Sequence, residues 1–438
     1  MIMNKLALFI LIITTSFSFS YCQNFESITA EIVQYLKANK PGKIHKTFAK
    51  KTKKSFKKIF LVGAWKSIVK SNGALTEVGE SSFSTLKDKP TATIPFHFEK
   101  SSLNLVLTAN EKNEIVGLRF TALGYTTPNW AKNKVFGKER LVIETDTFKL
   151  PGELLLPENC NNCPVVILVH GSGPSDRNEG SAFSPNRLFQ DLAYGFALNG
   201  IATIRYDKRT LVYQKSLGGL DSFTLYEETI ADAVSAVAKA KSYSFLDSSN
   251  IYVLGHSLGA YASPLIAKNS SDVAGIIMLA GPHRALYEII PEQYNYLFTL
   301  DGKLSKKEIK HINTAQEEVK FINGEASEVD KLTVMGDNRM LYYFRALKAY
   351  DPISTINNLS CRVLITQGDR DYQVQYKTEF TAYQNLLVGN KFVDFQLIPN
   401  VNHQMIWGNI PSTPNEYFIP GHPSVEVIQN LSDWVLKK

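Results

Sequence analysis

The chain is short of cysteine and of long apolar runs. It has four cysteines in 438 residues, and Cys160-Asn-Asn-Cys163 is their one close pair. Without a second pair or a nearby histidine cluster, this spacing does not indicate a zinc site, and we predict neither metal nor cofactor. In an oxidising compartment the pair fits a local disulfide as well as two free thiols. Beyond residue 22 no segment approaches about 18 consecutive apolar residues, so no transmembrane segment is predicted.

Acidic residues are missing from residues 37–58, which contain ten lysines. The formal charge of the chain is +7, so the chain without these lysines carries −3. The segment lacks the arginines and interleaved aromatic residues of nucleic-acid readers, and we predict no nucleic-acid partner. One interpretation is an electrostatic contact with an anionic envelope or glycan. The other is a solvated helix face whose apolar side chains turn inward, namely Phe48, Phe56, Ile59 and Phe60.

The first 22 residues have the pattern of a secretory signal. An apolar core over residues 6–14 is followed by small and aromatic residues up to Cys22. This core is too short to span a membrane comfortably. We expect a soluble protein that is secreted or periplasmic after removal of the signal. A lipoprotein anchor at Cys22 is the less favoured alternative, because Phe19 and Tyr21 fit the preceding positions poorly.

One serine lies where a strand is predicted to turn into a helix. The apolar residues 251–254 run into Gly255-His256-Ser257-Leu258-Gly259, and a helix-like stretch follows to about Lys268. Glycines on both sides suit the sharp turn of a nucleophile elbow, where a Cβ would clash with the neighbouring strand or helix. The pattern predicts Ser257 as a catalytic nucleophile.

Partners for this serine follow it in the chain order acid, then base. The strand-like residues 362–366 lead into a loop with two aspartates, Asp369 and Asp371. We choose Asp371, because Gly-x-x-Asp followed by an apolar residue three positions later turns the carboxylate towards the histidine. Asp369 is interpreted as a turn residue that caps its own backbone. His403 follows the last strand-like segment, residues 393–398, and is predicted as the general base.

The tetrahedral oxyanion of acyl transfer needs backbone donors. One is the N–H of Leu258, directly after the nucleophile. The second is expected in His170-Gly171-Ser172-Gly173, which follows the apolar residues 165–169, a pattern typical of a strand buried on both faces of a parallel sheet. We predict the N–H of Ser172, with Gly171 as the alternative, and a structural role for His170.

These residues make the chain from about residue 139 to residue 438 resemble an α/β-hydrolase. The resemblance includes His170-Gly171, the charged segment 205–209 after the fourth strand, and the three catalytic positions. It implies a mainly parallel, doubly wound sheet with helices on both faces. The stretch 171–177 is similar to secreted bacterial esterases and to the serine aminopeptidase-like and prolyl-oligopeptidase-like branches. A serine nucleophile argues against the dehalogenases and epoxide hydrolases of this superfamily, which use aspartate.

The length favours two domains. Residues 23–130 begin with helical periodicity and continue with strand-like alternation, which predicts a small α+β domain. In pattern and position it resembles the cystatin-like domain of unknown function that precedes some bacterial α/β-hydrolases. The hydrolase domain is expected over residues 139–438. Within it, residues 283–350 are predicted as a helical lid whose aromatic residues either pack or line an apolar substrate pocket.

We therefore expect an exported serine carboxylesterase acting on small or medium acyl esters through a Ser257 acyl-enzyme. A serine peptidase of the aminopeptidase or prolyl-peptidase type is the alternative, because it shares every catalytic feature. A third hypothesis, from a different class, is a non-catalytic envelope-binding protein that uses residues 23–130.

Overall fold

The structure is a computed structural model, which describes residues 24–437 except 87, 146–147, 181–183, 218–222, 326–331, 335, 337–339 and 410. The side chains of residues 71 and 122 are also not described. The predicted signal and the possible anchor at Cys22 lie outside the described residues. The chain divides into two compact units, one formed mainly by residues up to Tyr125 and one mainly by residues from Thr126 onward.

The first unit is a small α+β fold, as the change from helical to alternating periodicity predicts. Its strands are β1 (Leu75–Val78), β2 (Ser82–Leu86), β3 (Lys89–Phe98), β4 (Ser102–Ala109) and β5 (Ile115–Ala122). They form an antiparallel sheet in the order β1-β3-β4-β5, and β2 also pairs with β3. Trp65 packs edge-on against Phe96 inside this unit. The helices span 24–37, Pro41–Thr47, Lys50–Ser55, Lys58–Asn72 and Pro414–Phe418.

The second unit is built on an eight-stranded sheet. The strands are β6 (Gly137–Thr145), β7 (Phe148–Leu156), β8 (Cys163–Val169), β9 (Ala202–Tyr206), β10 (Leu246–His256), β11 (Val273–Leu279), β12 (Arg362–Gly368) and β13 (Val393–Ile398). Their order in the sheet is β6-β7-β9-β8-β10-β11-β12-β13. An antiparallel pair opens the sheet, since β6 and β7 pair with Leu141 opposite Gly152. From β8 and β9 to β13 all neighbouring strands are parallel.

Helices cover both faces of this sheet. In β8 the side chains of Val165, Ile167 and Val169 belong to one core and those of Val166 and Leu168 to another, so the strand is buried on both sides. The helices are Asn129–Ala131, Leu188–Leu198, Arg209–Val212, Gln214–Leu217, the π-helical turn Tyr226–Ile230, Ala231–Lys241, Leu258–Asn269, Glu379–Leu386 and Val425–Leu436. The doubly wound α/β architecture is therefore confirmed.

The insertion between β11 and β12 is helical, as predicted for residues 283–350. Its helices are Leu286–Phe298, Lys306–Ile322, Met340–Lys348 and Pro352–Asn357. Tyr287, Tyr343 and Phe344 are buried and pack in the main core, which fits the packing interpretation for these aromatic residues. Whether the insertion acts as a lid stays a prediction.

Two further features bear on the open alternatives. Cys160 and Cys163 are joined in a disulfide, with their Cα atoms 5.5 Å apart. In the described ranges, no helix combines the length and apolar composition needed to cross a membrane.

Candidate active site

Ser257 sits at a strained turn between β10 and the helix Leu258–Asn269. Its backbone has φ of 55° and ψ of −115°, a conformation that residues other than glycine rarely adopt. The flanking glycines allow this turn. A Cβ on Gly255 would lie 2.1 Å from the carbonyl oxygen of Gly259, and one on Gly259 would lie 2.2 Å from that of Val169. Ser257 itself is half-buried among buried neighbours. The sharp turn predicted around Ser257 is present, and the role of Ser257 as the nucleophile stays a prediction.

The predicted acid and base are in direct contact. His403 Nδ1 lies 2.6 Å from Asp371 Oδ2, and both residues are buried. The other carboxylate oxygen, Oδ1, accepts the N–H groups of Gln373 and Val374, at 2.8 and 3.0 Å. The Gln367 side chain also donates to Oδ2 at 2.8 Å. With the His403 contact and the two backbone N–H groups, four contacts fix the carboxylate. Asp371 is thus held in place to orient the imidazole.

Asp369 has a different role from the one expected. The sequence interpretation gave it a cap on its own backbone, but its Oδ1 accepts the N–H of Asn400, 31 positions further along the chain. Asp369 therefore fastens the loop after β12 to the loop that carries His403. Asp371 contacts the side chain of His403, whereas Asp369 holds the loop on which His403 lies.

The structure brings Ser257 and His403 together through a neighbour. His256 Nε2 donates to the carbonyl oxygen of His403 at 2.8 Å. The rings of His256 and His403 have centroids 4.6 Å apart. In the described structure no hydrogen bond joins Ser257 Oγ to His403, whose Nδ1 contacts Asp371.

The two candidate donors of the oxyanion loop differ. The N–H of Gly171 donates to Glu179 Oε1 at 2.7 Å, so this alternative donor is already engaged. For the N–H groups of Ser172 and Leu258, the described residues supply no hydrogen-bond acceptor. Gly171 lies against the nucleophile, since a Cβ on it would be 3.2 Å from Ser257 Cβ. The geometry therefore favours Ser172 and Leu258 over Gly171.

A buried lysine fixes the peptide group that carries the Ser172 N–H. Lys208 Nζ donates to the carbonyl oxygen of Gly171 at 2.7 Å and to Glu228 Oε1 at 2.6 Å. The Gly171 carbonyl and the Ser172 N–H belong to one planar trans peptide, so the direction of one sets the direction of the other. A cation on the carbonyl also polarises this peptide. Sequence reasoning noted Lys208 only as part of a charged segment.

The same charged segment takes part in three further ion pairs in the described structure, one of them between Arg205 and Glu153. Arg177 contacts Asp207 through two side-chain hydrogen bonds, at 2.9 and 2.8 Å. Arg209 pairs with Asp232, and both side chains are buried. Arg177 therefore pairs with the segment after β9.

Another buried ion pair, which was not predicted from the sequence, connects three loops. Glu179 and His256 are both largely buried, with Oε2 and Nδ1 3.0 Å apart. Burial alone would lower the pKa of His256, but the Glu179 carboxylate outweighs it and raises that pKa. Burial likewise works to raise the pKa of Glu179, and the histidine reverses this and lowers it. The pair thus joins the oxyanion loop, the elbow and the His403 carbonyl. The sequence signal that could have indicated this pair was the position of His256 inside the elbow, between Gly255 and Ser257.

His170 is a neutral structural group. Its Nε2 lies 3.0 Å from the carbonyl oxygen of Asp176, which closes the oxyanion loop. Burial lowers the pKa of His170 to about 4. The predicted structural role agrees with this contact.

One aromatic residue of the insertion, Tyr296, contacts the acid loop, which is the loop after β12 that carries Asp371. The ring of Tyr296 stacks on that of Tyr372, the residue after Asp371, with centroids 5.7 Å apart. The Tyr296 hydroxyl donates to the carbonyl of Ser412 at 3.0 Å. The insertion therefore contacts the loop that carries the predicted acid.

An elbow serine followed in the chain by an aspartate and a histidine in contact, on this strand order, defines a serine-hydrolase arrangement. Residues 166–418 match the model of the alpha/beta hydrolase family, and the chain belongs to this family. It is 32% identical over 343 residues to esterase EstD of Thermotoga maritima, an alignment that covers 78% of each chain.

Two solved structures are also similar. Est1E from Butyrivibrio proteoclasticus is 20% identical, with 68% of this chain and 99% of that chain covered and a TM-score of 0.43. The acylaminoacyl peptidase of Pyrococcus horikoshii is 14% identical, with 85% and 57% covered and a TM-score of 0.47.

Proposed function

We propose that this protein is a serine hydrolase that cleaves carboxylic esters of small or medium acyl groups. The observation that carries the proposal is the buried contact between Asp371 and His403 beside the elbow of Ser257. A serine hydroxyl becomes a strong nucleophile only when a neighbouring base takes its proton, and an imidazole oriented by a carboxylate can do so near neutral pH.

The reaction has two halves. Ser257 Oγ attacks the ester carbonyl carbon while His403 Nε2 takes the hydroxyl proton, and Asp371 stabilises the imidazolium through Nδ1–H. The tetrahedral intermediate then expels the alcohol, which leaves with the proton from His403, and the acyl group stays on Ser257. Water enters, His403 removes its proton, and a second tetrahedral intermediate releases the carboxylic acid and restores Ser257.

Each intermediate carries a negative oxygen that needs fixed donors. The N–H groups of Leu258 and Ser172 fill this role in the proposal, and Lys208 holds the peptide of the second donor. Donors that are already oriented stabilise the developing charge without reorganising during the reaction.

An ester substrate is favoured over a peptide because the similar protein of Thermotoga maritima is named an esterase. Tyr296 is half-buried and stacks on the buried Tyr372, and its ring offers apolar surface next to the acid loop, which suits a small or medium acyl or alcohol group. Export is part of the proposal. The disulfide between Cys160 and Cys163 supports it, because disulfides persist mainly in oxidising compartments.

The test is labelling of the purified protein with a fluorophosphonate, together with turnover of p-nitrophenyl esters of increasing acyl length. Wild type is expected to react and to show an optimum at a short or medium chain. Ser257→Ala is expected to lose both labelling and turnover. Ser248→Ala, which changes an exposed serine at the far end of β10, is the matched control and should behave as wild type.

Other outcomes would redirect the assignment. Faster turnover of peptides from a library than of any ester would indicate the peptidase alternative. An unlabelled wild type with no turnover would support the non-catalytic hypothesis. Ester hydrolysis that survives in Ser257→Ala would contradict the proposed nucleophile.

A further inference from the structure

The lysine-rich segment carries apolar side chains on its surface. The inward-facing interpretation is correct for Phe48, which is 2% exposed, and wrong for the others. Phe56 is 39% exposed, Phe60 54% and Ile59 72%. Large apolar side chains at such exposure, close together in the chain, mark an interaction surface more often than isolated ones do.

These three side chains lie at the junction of two helices. Phe56 caps the helix Lys50–Ser55, and Ile59 and Phe60 open the helix Lys58–Asn72. The rings of Phe56 and Phe60 are 6.0 Å apart, and Phe56 is anchored below by the buried Phe48 at 6.2 Å. We call Phe56, Ile59 and Phe60 the apolar ridge. It is supported from the core and ends at the surface.

Unpaired positive charge surrounds the apolar ridge. Exposed lysines precede and separate its residues, at Lys50, Lys51, Lys54, Lys57 and Lys58. In the described structure none of these five has an ion-pair partner. By contrast, Lys46 in the same segment pairs with Glu31 at 2.8 Å. The local excess of positive charge is therefore available to an anionic partner.

We propose that the apolar ridge and its lysines form a docking surface for an anionic lipid bilayer. Transfer of aromatic and aliphatic side chains from water to the boundary between headgroups and acyl chains is favourable and lowers the free energy of the system. Lysines beside them keep their ammonium groups at the level of anionic headgroups while their alkyl stems follow the apolar side chains. A soluble polyanion would use the lysines but would leave the apolar ridge in water, so the combination favours a bilayer.

The experiment is vesicle sedimentation of the chain from Gln23 onward, which contains the apolar cores of both units and omits the predicted signal. One set of vesicles is phosphatidylcholine alone, and the other contains about one-third phosphatidylglycerol, an anionic lipid. The apolar variant is Phe56→Ser/Ile59→Ser/Phe60→Ser. The charge variant is Lys54→Gln/Lys57→Gln/Lys58→Gln. The matched control is Leu386→Ser/Val388→Ser, which removes equally exposed apolar side chains from the second unit.

We expect the wild type to bind the anionic vesicles, to bind phosphatidylcholine weakly, and to dissociate as salt is raised. The charge variant should lose about 100-fold in partition coefficient, since each of its three lysines contributes about fivefold near an anionic surface. The apolar variant should lose at least about tenfold. The control should bind like wild type. Ester turnover, unchanged in all variants, reports that the protein is folded.

Three results would overturn the proposal. One is the absence of binding to anionic vesicles by the wild type. Another is an apolar variant that binds as well as wild type, because the surface would then recognise charge alone. A third is tighter binding to heparin or duplex DNA than to vesicles, with no loss in the apolar variant, which would assign the segment to a soluble polyanion.

Discussion

Charged residues are used in opposite ways in the two units. In the second unit Lys208, Arg209, Asp371 and Glu179 are buried, and each contacts a group of opposite charge or, for Asp371, the histidine it orients. In the first unit the lysines of the segment 50–58 are mostly exposed and lack ion-pair partners in the described structure. The buried charges named here are thus paired within the second unit, whereas the lysines of this segment lie at the surface.

The role of a charged side chain depends on whether it is buried or exposed. A buried ion is costly to remove from water and is retained only with its partners in good geometry, so it holds neighbouring groups in one position. An exposed lysine is solvated and contributes little to stability, yet it attracts an anionic partner over several ångströms. Buried pairs therefore position, and exposed clusters bind.

The largest effect is expected at Asp371. Asp371→Asn keeps the size of the side chain but removes the charge that orients His403 and stabilises its imidazolium. We expect kcat for a p-nitrophenyl ester to fall by about 10⁴-fold. Asp369→Asn is the matched control two positions away, since it changes only a loop contact to Asn400, and should cost less than about tenfold. Equal losses in the two variants would contradict the choice between the aspartates.

A smaller effect is expected when the buried lysine pair is removed as a unit. Lys208→Met/Glu228→Gln leaves no isolated buried charge but frees the peptide that carries the Ser172 N–H. We expect kcat to fall about 100-fold with KM nearly unchanged, because a donor to the transition state is misplaced.

The control for this variant is Arg209→Met/Asp232→Asn. This pair follows Lys208 in the chain and is equally buried, but it does not contact the oxyanion loop. Its removal should change the melting temperature by a similar amount while kcat stays within a few-fold of wild type. A matching loss of kcat in the control would show that the Lys208 effect is general destabilisation.

Sequence patterns were sufficient for the parts of this molecule that rest on local geometry. The elbow follows from two glycines beside Ser257, and the buried strands follow from uninterrupted apolar runs such as residues 165–169. Asp371 could be chosen over Asp369 because its loop pattern is local as well.

The contacts that sequence reasoning missed join residues far apart in the chain. Glu179 meets His256 across 77 positions, and Asp369 meets Asn400 across 31. No periodicity encodes such pairs, because they depend on which strands become neighbours. The apolar ridge was misjudged for a related reason. Helical spacing places Phe56, Ile59 and Phe60 on one face, but it does not tell whether a core lies beneath that face.

A stability effect that depends on pH separates the two uses of charge further. The pKa of His170 is lowered to about 4 in the folded protein. As the pH falls, His170 therefore takes up a proton near pH 6.5 in the unfolded chain but only near pH 4 in the folded protein. Stability is therefore lost as the pH falls from 6.5 towards 4, by up to about 3 kcal/mol from this residue. Denaturant unfolding of wild type and His170→Gln over this range checks the slope, which should be shallower in the variant.

His256 acts in the opposite direction and sharpens the same measurement. Its pKa in the folded protein is raised, so its ion pair with Glu179 contributes fully below pH 6.5 and is lost as the pH rises through that higher value. The carboxylate partner has a lowered pKa, and its contribution is present above pH 4.5 and lost as the pH falls through its folded value. Glu179→Gln should lower the NMR titration midpoint of His256. An unchanged midpoint would mean that the pair does not interact.

The smallest effect is expected from the exposed lysines, and it decides whether the contrast between the units holds. Lys50→Gln, Lys54→Gln and Lys58→Gln each remove a solvated charge with no ion-pair partner in the described structure. Each should change the free energy of unfolding by less than about 0.5 kcal/mol, and the direction should be slightly stabilising because neighbouring lysines repel one another. A loss above about 1 kcal/mol would show that these lysines hold the fold together. Charge would then be structural in both units, and the segment would have no surplus to offer a membrane.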